Sequence, residues 1–301
     1  MMDTPSRTTV RVSVPATSAN LGVGFDCLGI ALDLRAVFTF ELSDELLIEG
    51  CPPHLAGPDN LVWTSYCESC SELGRDPLPL RIAVDSPIPI TGGLGSSSAC
   101  VIAGIIAAQV FVGDGFNRAE TLAAAIGIEG HPDNVAPALL GGLVSSCVTD
   151  KETLAIPHAI SSIFHYVALA PSYEVRTSEA RKALPERYPL ATLVTQMGRY
   201  ATLINALETG NAPLLGIACH DLVHEPYRAK LIPDYEPLKA CALESGAAAF
   251  TISGSGSAML AICEGRDRAE AVAESIHGLM PGLWLQLLPV DTRGTIVEVK
   301  R

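Results

Sequence analysis

Residues 87–111 read PIPITGGLGSSSACVIAGIIAAQVF, a loop rich in glycine and serine that leads into a long apolar segment without proline. The preceding residues 78–86, LPLRIAVDS, have the pattern of a strand, so the predicted order is strand, loop, helix. Free backbone N–H groups at a helix start favour an anion, and glycine lets the backbone approach it closely. The loop therefore predicts a phosphate site, although a plain turn before a buried helix stays open on this stretch alone.

The loop differs from the commoner phosphate-binding motifs. A Walker A sequence requires a lysine, and none occurs between Arg81 and Arg118. A Rossmann fingerprint requires a third glycine, whereas Gly93 and Gly95 are followed by serines. The chain also lacks the GxSxG of a hydrolase elbow and the HxE and PCxxC of a zinc deaminase, which excludes both classes.

Composition and charge narrow the function further. The 301 residues suffice for two domains, and 20 basic against 33 acidic residues give a net charge of −13. Such a chain repels a polyphosphate backbone, so we expect no nucleic acid partner, and an ATP site must be built locally. No signal peptide and no run of 18 apolar residues is found, which predicts a cytoplasmic protein without a membrane partner.

Cysteine and histidine patterns offer no convincing metal site. The nine cysteines are an odd number scattered in apolar or helical surroundings, which indicates a reducing compartment. Cys67 and Cys70 form a CxxC on a predicted amphipathic helix, without a second pair. His220 and His224 are four apart on a predicted helix, but no HExxH pattern accompanies them, and we interpret both as structural.

Hydrophobic periodicity predicts an α+β protein. The first half shows strands at residues 8–14, 37–42 and 143–148 and a helix at 118–128. The second half shows a strand at 165–171 and helices at 178–184 and 190–208, and its last third alternates helices with strands. We expect domains at residues 1–158 and 159–301.

Three motifs resemble those of the GHMP kinases, a family named for galactokinase, homoserine kinase, mevalonate kinase and phosphomevalonate kinase. Residues 89–97, PITGGLGSS, match the family consensus PxxxGLGSS. Residues 15–29, PATSANLGVGFDCLG, resemble the first motif of homoserine kinases, and residues 251–259, TISGSGSAM, resemble the loop near the triphosphate, with Ser257 where proline is usual. The resemblance implies a two-domain GHMP fold, with an N-terminal domain like a ribosomal small-subunit protein, a ferredoxin-like C-terminal domain and the active site between them.

The resemblance also implies an ATP and Mg²⁺ site. It assigns ATP binding to Pro87, Ile88, Pro89, Ile90, Thr91, Gly92, Gly93, Leu94, Gly95, Ser96, Ser97, Ser98, Gly254 and Gly256. Residues 129–142, EGHPDNVAPALLGG, resemble a homoserine kinase segment, which implies Ser97 and Glu129 as Mg²⁺ ligands. Hydroxyl and carboxylate oxygens suit a hard Mg²⁺ ion, whereas without the resemblance Glu129 would be interpreted as facing solvent.

For the acceptor, the resemblance implies binding by Asn20, Asp26, His131, Asn134, Thr177, Arg181 and Arg228. Asn20 and Asp26 suit a ligand with an ammonium group, and a guanidinium pairs with a carboxylate through two hydrogen bonds. Without the resemblance, Asn20 and Asp26 could equally belong to an Asx-rich turn, and Arg181 and Arg228 could be surface charges. The catalytic candidates are Asp133 as a general base or, with direct proton transfer to phosphate, Asn134 as the group that orients the hydroxyl.

The implied activity is transfer of the ATP γ-phosphate to the hydroxyl of L-homoserine, a step toward threonine, and the family suggests a homodimer. One alternative is a kinase for another small hydroxylated metabolite, which the arginine pair disfavours. A catalytically silent homologue is the other, and intact Ser97, Glu129 and Asp133 argue against it.

Overall fold

The computed structural model describes residues 8–90, 92–150 and 152–301. Its strands are Thr9–Ala19 (β1), Leu28–Leu42 (β2), Leu47–Glu49 (β3), Leu80–Asp85 (β4), Leu143–Val148 (β5), Thr153–His158 (β6), Phe164–Ala170 (β7), Ala247–Ile252 (β8), Met259–Glu264 (β9), Trp284–Leu288 (β10) and Ile296–Lys300 (β11). Its α-helices are Leu61–Glu72 (α1), Ser96–Phe111 (α2), Arg118–Glu129 (α3), Pro132–Leu140 (α4), Thr177–Lys182 (α5), Leu190–Thr209 (α6), Ala212–Ala218 (α7), Glu225–Arg228 (α8), Tyr235–Glu244 (α9) and Arg266–Leu279 (α10), with 3-10 turns at Pro53–Leu55 and Ala229–Leu231.

The first sheet has the strand order β11-β1-β2-β4-β3, and β5 and β6 extend it from β2. The long strand β2 pairs with β1 along one edge and with β4 and β5 along the other. Helices α2 and α4 pack against β1 and β2. A Cβ at Gly29 would lie 1.8 Å from the carbonyl oxygen of Asp133, so only glycine permits this approach of α4 to β2.

Helix α2 forms the centre of the first core because its sequence carries no charge. Its residues Val101, Ile102, Ile105 and Ile106 are at most 1% exposed. Burial of each such side chain contributes roughly 1.5–3 kcal/mol. The loop rich in glycine and serine is therefore followed by a helix whose apolar side chains are buried in the first core.

The second sheet is antiparallel, in the order β10-β7-β9-β8. Helices α9 and α10 pack on it, and a second core includes Leu238, Phe250, Val272 and Ile276. Two sheets, each covered by its own helices, confirm the predicted two-domain α+β architecture. No helix in the described ranges is both long and apolar enough to cross a bilayer.

The last strand amends the predicted domain boundary. The division at residues 158 and 159 falls between β6 and β7 and stays a prediction, but β11 pairs with β1, with Thr9 opposite Lys300. Arg35 anchors the approach to β11 through an ion pair with Asp291 and a hydrogen bond to the carbonyl oxygen of Gly294. The last strand of the chain therefore belongs to the first sheet.

Two other expectations are wrong in detail. Residues 15–19 and 28–34 continue β1 and β2, so the loop of the first motif is confined to residues 20–27. The predicted helix through His220 and His224 is absent. Helix α7 ends at Ala218 and α8 begins at Glu225, and between them the carboxylate of Asp221 accepts hydrogen bonds from the backbone N–H groups of residues 223–225. The two histidines consequently face different surroundings.

Candidate active site

A cavity of ≈ 270 Å³ lies where the motifs of both halves meet. From the proposed acceptor, catalytic and metal residues it is lined by Asn20, Asp26, Ser97, Glu129, His131, Asp133, Asn134, Thr177, Arg181 and Arg228. From the proposed nucleotide residues it is lined by Ile90, Gly92, Gly93, Gly95, Ser96, Ser98 and Gly254. Residues more than 200 positions apart in the sequence thus share one cavity.

The remaining proposed nucleotide residues lie elsewhere. Ile88 lines an adjoining cavity, and Leu94 is buried beneath the loop, where its carbonyl oxygen accepts a hydrogen bond from the N–H of Thr17. Pro87, Pro89 and Gly256 line neither cavity. Thr91 lies outside the described residues.

Two glycines of the phosphate loop allow the motifs to approach each other. Gly95 precedes α2 with φ of 74°, and a Cβ there would lie 2.1 Å from Oγ1 of Thr17. Gly93 has φ of 96°, and its Cβ would lie 2.5 Å from the carbonyl oxygen of Ser253. A larger residue would push apart β1, the loop and the C-terminal glycine motif, so the spacing of the cavity depends on these positions.

Ser97 and Glu129 meet at one end of the cavity. Ser97 is in the first turn of α2 and Glu129 is the last residue of α3, and the Ser97 hydroxyl donates a 2.7 Å hydrogen bond to Oε1 of Glu129. Among the described residues no cluster of three His, Cys, Asp or Glu side chains could hold a metal. A hydroxyl and a carboxylate alone fit Mg²⁺ only where phosphate and water oxygens complete the shell.

The start of helix α4 also lines the cavity, through His131, the residue before the helix, and through Asp133 and Asn134 in its first turn. Asp133 is only 2% exposed, and its Oδ1 lies 2.6 Å from Nδ1 of His131. This hydrogen bond raises the pKa of His131, against the opposing effect of burial. Oδ1 of Asn134 accepts a 2.8 Å bond from the Thr17 hydroxyl, and its Nδ2 is the donor atom of the same amide group. A carboxylate and an amide are thus held where a hydroxyl can reach both.

Another part of the cavity is lined by Asp26, Arg181 and Arg228, which together give it a net positive charge. Arg181 pairs with both carboxylate oxygens of Asp26, at 2.8 and 3.1 Å, and the two side chains are 40% and 34% exposed. Arg228 is 2% exposed, donates from Nη1 to the carbonyl oxygen of Gly254 at 2.8 Å, and its Nε has no partner. Burial lowers the pKa of Arg228, partly offset by the charge of Asp26. A buried guanidinium with so few hydrogen bonds is suited to receive an anion.

The loop of the first motif is held in an unfavourable backbone conformation. Asn20, Leu21 and Asp26 have φ values of 72°, 44° and 57°, which residues other than glycine rarely adopt. Each such residue costs on the order of 1–3 kcal/mol and persists only where its surroundings fix it. The Asn20 side chain does part of this, because it accepts from the N–H of Asp26 at 3.0 Å and donates to the carbonyl oxygen of Gly254 at 2.9 Å.

A second, largely apolar cavity of ≈ 370 Å³ adjoins the first and shares Ile90, Ser96 and Ser97 with it. Its lining includes Phe38, Val62, Val84, Ile88 and Cys100, with Asn60 among the few polar groups. Apolar walls with few polar groups are typical of sites for flat organic rings.

Four residues in or next to the cavity lining were not predicted from the sequence to have a role there. Glu174 and Ser255 line the first cavity, and Thr17 orients Asn134 from β1. Phe25 lies beneath both guanidiniums, with ring centroid distances of 4.9 Å to Cζ of Arg228 and 5.9 Å to Cζ of Arg181. No local pattern indicates these roles, because each depends on a partner far away in the sequence.

Comparison with known proteins defines the class first. The model described as "GHMP kinases N terminal domain" matches residues 60–142, and "GHMP kinases C terminal" matches residues 203–281. The first match includes the phosphate loop and α4. Fold and site together are those of an ATP-dependent small-molecule kinase.

Individual relatives then narrow the class. A homoserine kinase of Clostridium botulinum is 35% identical over 295 residues, 97% of this chain and 99% of that protein. A homoserine kinase of Synechococcus sp. is 41% identical over 278 residues, 89% of this chain and 88% of that protein. A crystal structure of homoserine kinase from Cytophaga hutchinsonii superposes with a TM-score of 0.85 at 29% identity and covers 96% of this chain and 97% of its own. The chain therefore belongs to the homoserine kinases of the GHMP kinase family.

Proposed function

We propose that this protein transfers the γ-phosphoryl group of ATP to the side-chain hydroxyl of L-homoserine, which gives O-phospho-L-homoserine on the way to threonine. The observation that carries the proposal is the charge arrangement of the cavity. Buried Arg228 and half-exposed Arg181 lie at one end, and Asp26 lies beside them. An α-amino acid matches this arrangement, because its carboxylate can pair with the guanidiniums and its ammonium with Asp26.

The acceptor would replace part of the Arg181–Asp26 ion pair. Arg181 would then turn its two donors to the acceptor's carboxylate, together with Arg228, and Asp26 would bind the ammonium. Asn20 holds Asp26 in place through the N–H of that residue. Thr177 lines the same end, which makes its hydroxyl a further donor to the carboxylate.

The acceptor hydroxyl would lie between α4 and the phosphate loop. We propose that Nδ2 of Asn134 binds the hydroxyl oxygen and that Asp133 accepts its proton, with direct transfer to phosphate as the alternative. The His131 hydrogen bond orients the Asp133 carboxylate. The backbone N–H groups of the loop and the start of α2 would bind the phosphates, and the apolar cavity beside them would take the nucleobase.

Ser97 and Glu129 would hold a Mg²⁺ ion, whose charge offsets the negative charge of the phosphates. We further propose a cytoplasmic location, which the nine free cysteines support. The homodimer stays a proposal, to be tested by sedimentation velocity.

The test is a coupled ADP-release assay with Mg·ATP and L-homoserine, run beside L-serine, L-threonine, mevalonate and no acceptor. We expect strong turnover only with homoserine. Turnover with a different acceptor would support the kinase assignment and contradict homoserine as the substrate. ADP release independent of every acceptor would contradict the transfer reaction.

A further inference from the structure

Three consecutive carbonyl groups in the loop of the first motif accept hydrogen bonds from the C-terminal half. The carbonyl oxygen of Leu21 accepts from Sγ of Cys219 at 3.7 Å, and that of Gly22 from Nε2 of His224 at 2.7 Å. The carbonyl oxygen of Val23 accepts from Nε2 of Gln196 at 3.0 Å. The loop that carries Asn20 and Asp26 is thus fixed by side chains from beyond residue 190.

His224 makes the shortest of these contacts and is fully buried. A carbonyl oxygen can only accept, so Nε2 carries the proton, and Nδ1 has no hydrogen-bond partner among the described residues. The charged groups around the ring are Asp221, with Oδ2 3.8 Å from Nε2, Arg228 on its own segment and Asp26 on the opposing loop. Burial lowers the pKa of His224, which keeps the imidazole neutral near pH 7.

The His224 ring also stacks on Phe25, with centroids 5.2 Å apart and 27° between the planes. Phe25 in turn lies under Arg228 and Arg181, in cation–π contact with both. Arg228 has few hydrogen bonds of its own, so the aromatic ring is a main determinant of where its guanidinium lies. The His224 imidazole therefore contacts both the backbone of the loop that carries Asn20 and Asp26 and the Phe25 ring beneath the two arginines.

We propose that His224 is a positioning residue of the acceptor site, which holds the Gly22 carbonyl by its Nε2–H and aligns Arg228 and Arg181 through Phe25. The proposal rests on the proposed function in one respect, that the acceptor carries a carboxylate. It extends that function to a residue that touches neither substrate nor nucleotide.

The test separates the two contacts by two substitutions. His224→Gln keeps an N–H donor for Gly22 and removes the ring, whereas His224→Phe keeps a ring against Phe25 and removes the donor. We expect each to raise the KM for L-homoserine about tenfold and to leave the KM for ATP within twofold, which corresponds to misplacement of the acceptor alone. His220→Gln is the matched control: it makes the same change four residues away, outside the contact with the loop, and should leave both constants unchanged.

A pH profile provides a readout that a general loss of packing would not give. Protonation of Nδ1 below the usual histidine range would create a buried, unpaired donor next to Arg228. Wild-type kcat/KM for homoserine should therefore fall more steeply than that of either His224 variant as the pH drops below about 6.5, the usual histidine pKa. Equal slopes in all three proteins, or equal rises in both KM values, would overturn the proposal.

Amide hydrogen exchange tests the positioning role without turnover. In His224→Phe we expect faster exchange of the N–H groups of residues 24–28, several of which bond within the loop, and unchanged exchange in α2. Unaltered protection of this loop would contradict the proposal whatever the acceptor proves to be. Absence of homoserine turnover in the wild type, with the exchange effect present, would instead contradict only the proposed function.

Discussion

The two ends of the active-site cavity are built in opposite ways. The proposed phosphate end comes mostly from one stretch, residues 92–98, and from backbone groups at the start of a single helix. The proposed acceptor end is formed by side chains of the loop between β1 and β2, of α5 and of α8. Side chains of the second half hold that loop through hydrogen bonds to its carbonyl groups. Backbone recognition can be local, whereas recognition of an amino acid by side chains depends on long-range assembly.

The largest expected effect comes from Glu129, which lies beside Ser97 in the cavity. Glu129→Ala removes a proposed Mg²⁺ ligand and should lower kcat about 10³-fold or more, since metal stabilisation of the transition state amounts to several kcal/mol. Steady-state kinetics over a range of Mg²⁺ concentrations measures it. Glu120→Ala, on the exposed side of the same helix, is the control. A decrease in kcat of less than tenfold in Glu129→Ala would contradict the assignment of Glu129 as a Mg²⁺ ligand.

Asp133→Asn should have the next largest effect. If this carboxylate accepts the hydroxyl proton, kcat should fall roughly 10²–10⁴-fold while the KM for ATP stays close to wild type. Single-turnover measurement of phosphoryl transfer isolates the step. A loss below tenfold would favour direct transfer of the proton to phosphate and leave Asn134 as the principal residue around the hydroxyl.

Arg181→Ala should weaken binding of homoserine without weakening binding of ATP. Loss of a charge-assisted pair with the acceptor costs about 1.5–3 kcal/mol, so the KM for homoserine should rise roughly 10- to 100-fold with little change for ATP. Lys182→Ala removes the same charge from the next residue and serves as the control. Parallel rises in both KM values would mean that the two ends are not independent.

Glu225→Gln should have the smallest effect on turnover, but it should change the pH dependence of the free energy of unfolding. Burial raises the pKa of this carboxyl to about 7, where its oxygens accept from the N–H of Ile252 and the hydroxyl of Tyr235. A raised carboxyl pKa favours folding at low pH, and that contribution disappears as pH rises from about 4.5 through 7. Wild type should lose up to about 3 kcal/mol relative to Glu225→Gln between pH 5 and 8 in urea unfolding. Identical pH dependence of the two proteins would contradict this assignment.

The contrast between the two ends also explains what the sequence could predict. The phosphate loop, α3 and β5 follow from local composition, periodicity and caps, and they lie where expected. The predicted first strand ended at residue 14, whereas β1 continues through the small residues 15–19, where Thr17 packs against Gly95. Phe25 and His224 gave no local signal, since their stacking joins positions 199 residues apart, and without the family resemblance Arg228 would have been assigned to the surface.

The return of β11 to the first sheet has a consequence for how the chain is made. The strand that covers the edge of β1 is synthesised after every other strand of its sheet, so the first half cannot complete this sheet until residues 296–300 have been translated. Until then β1 presents an unpaired edge, the kind of surface that associates with other chains.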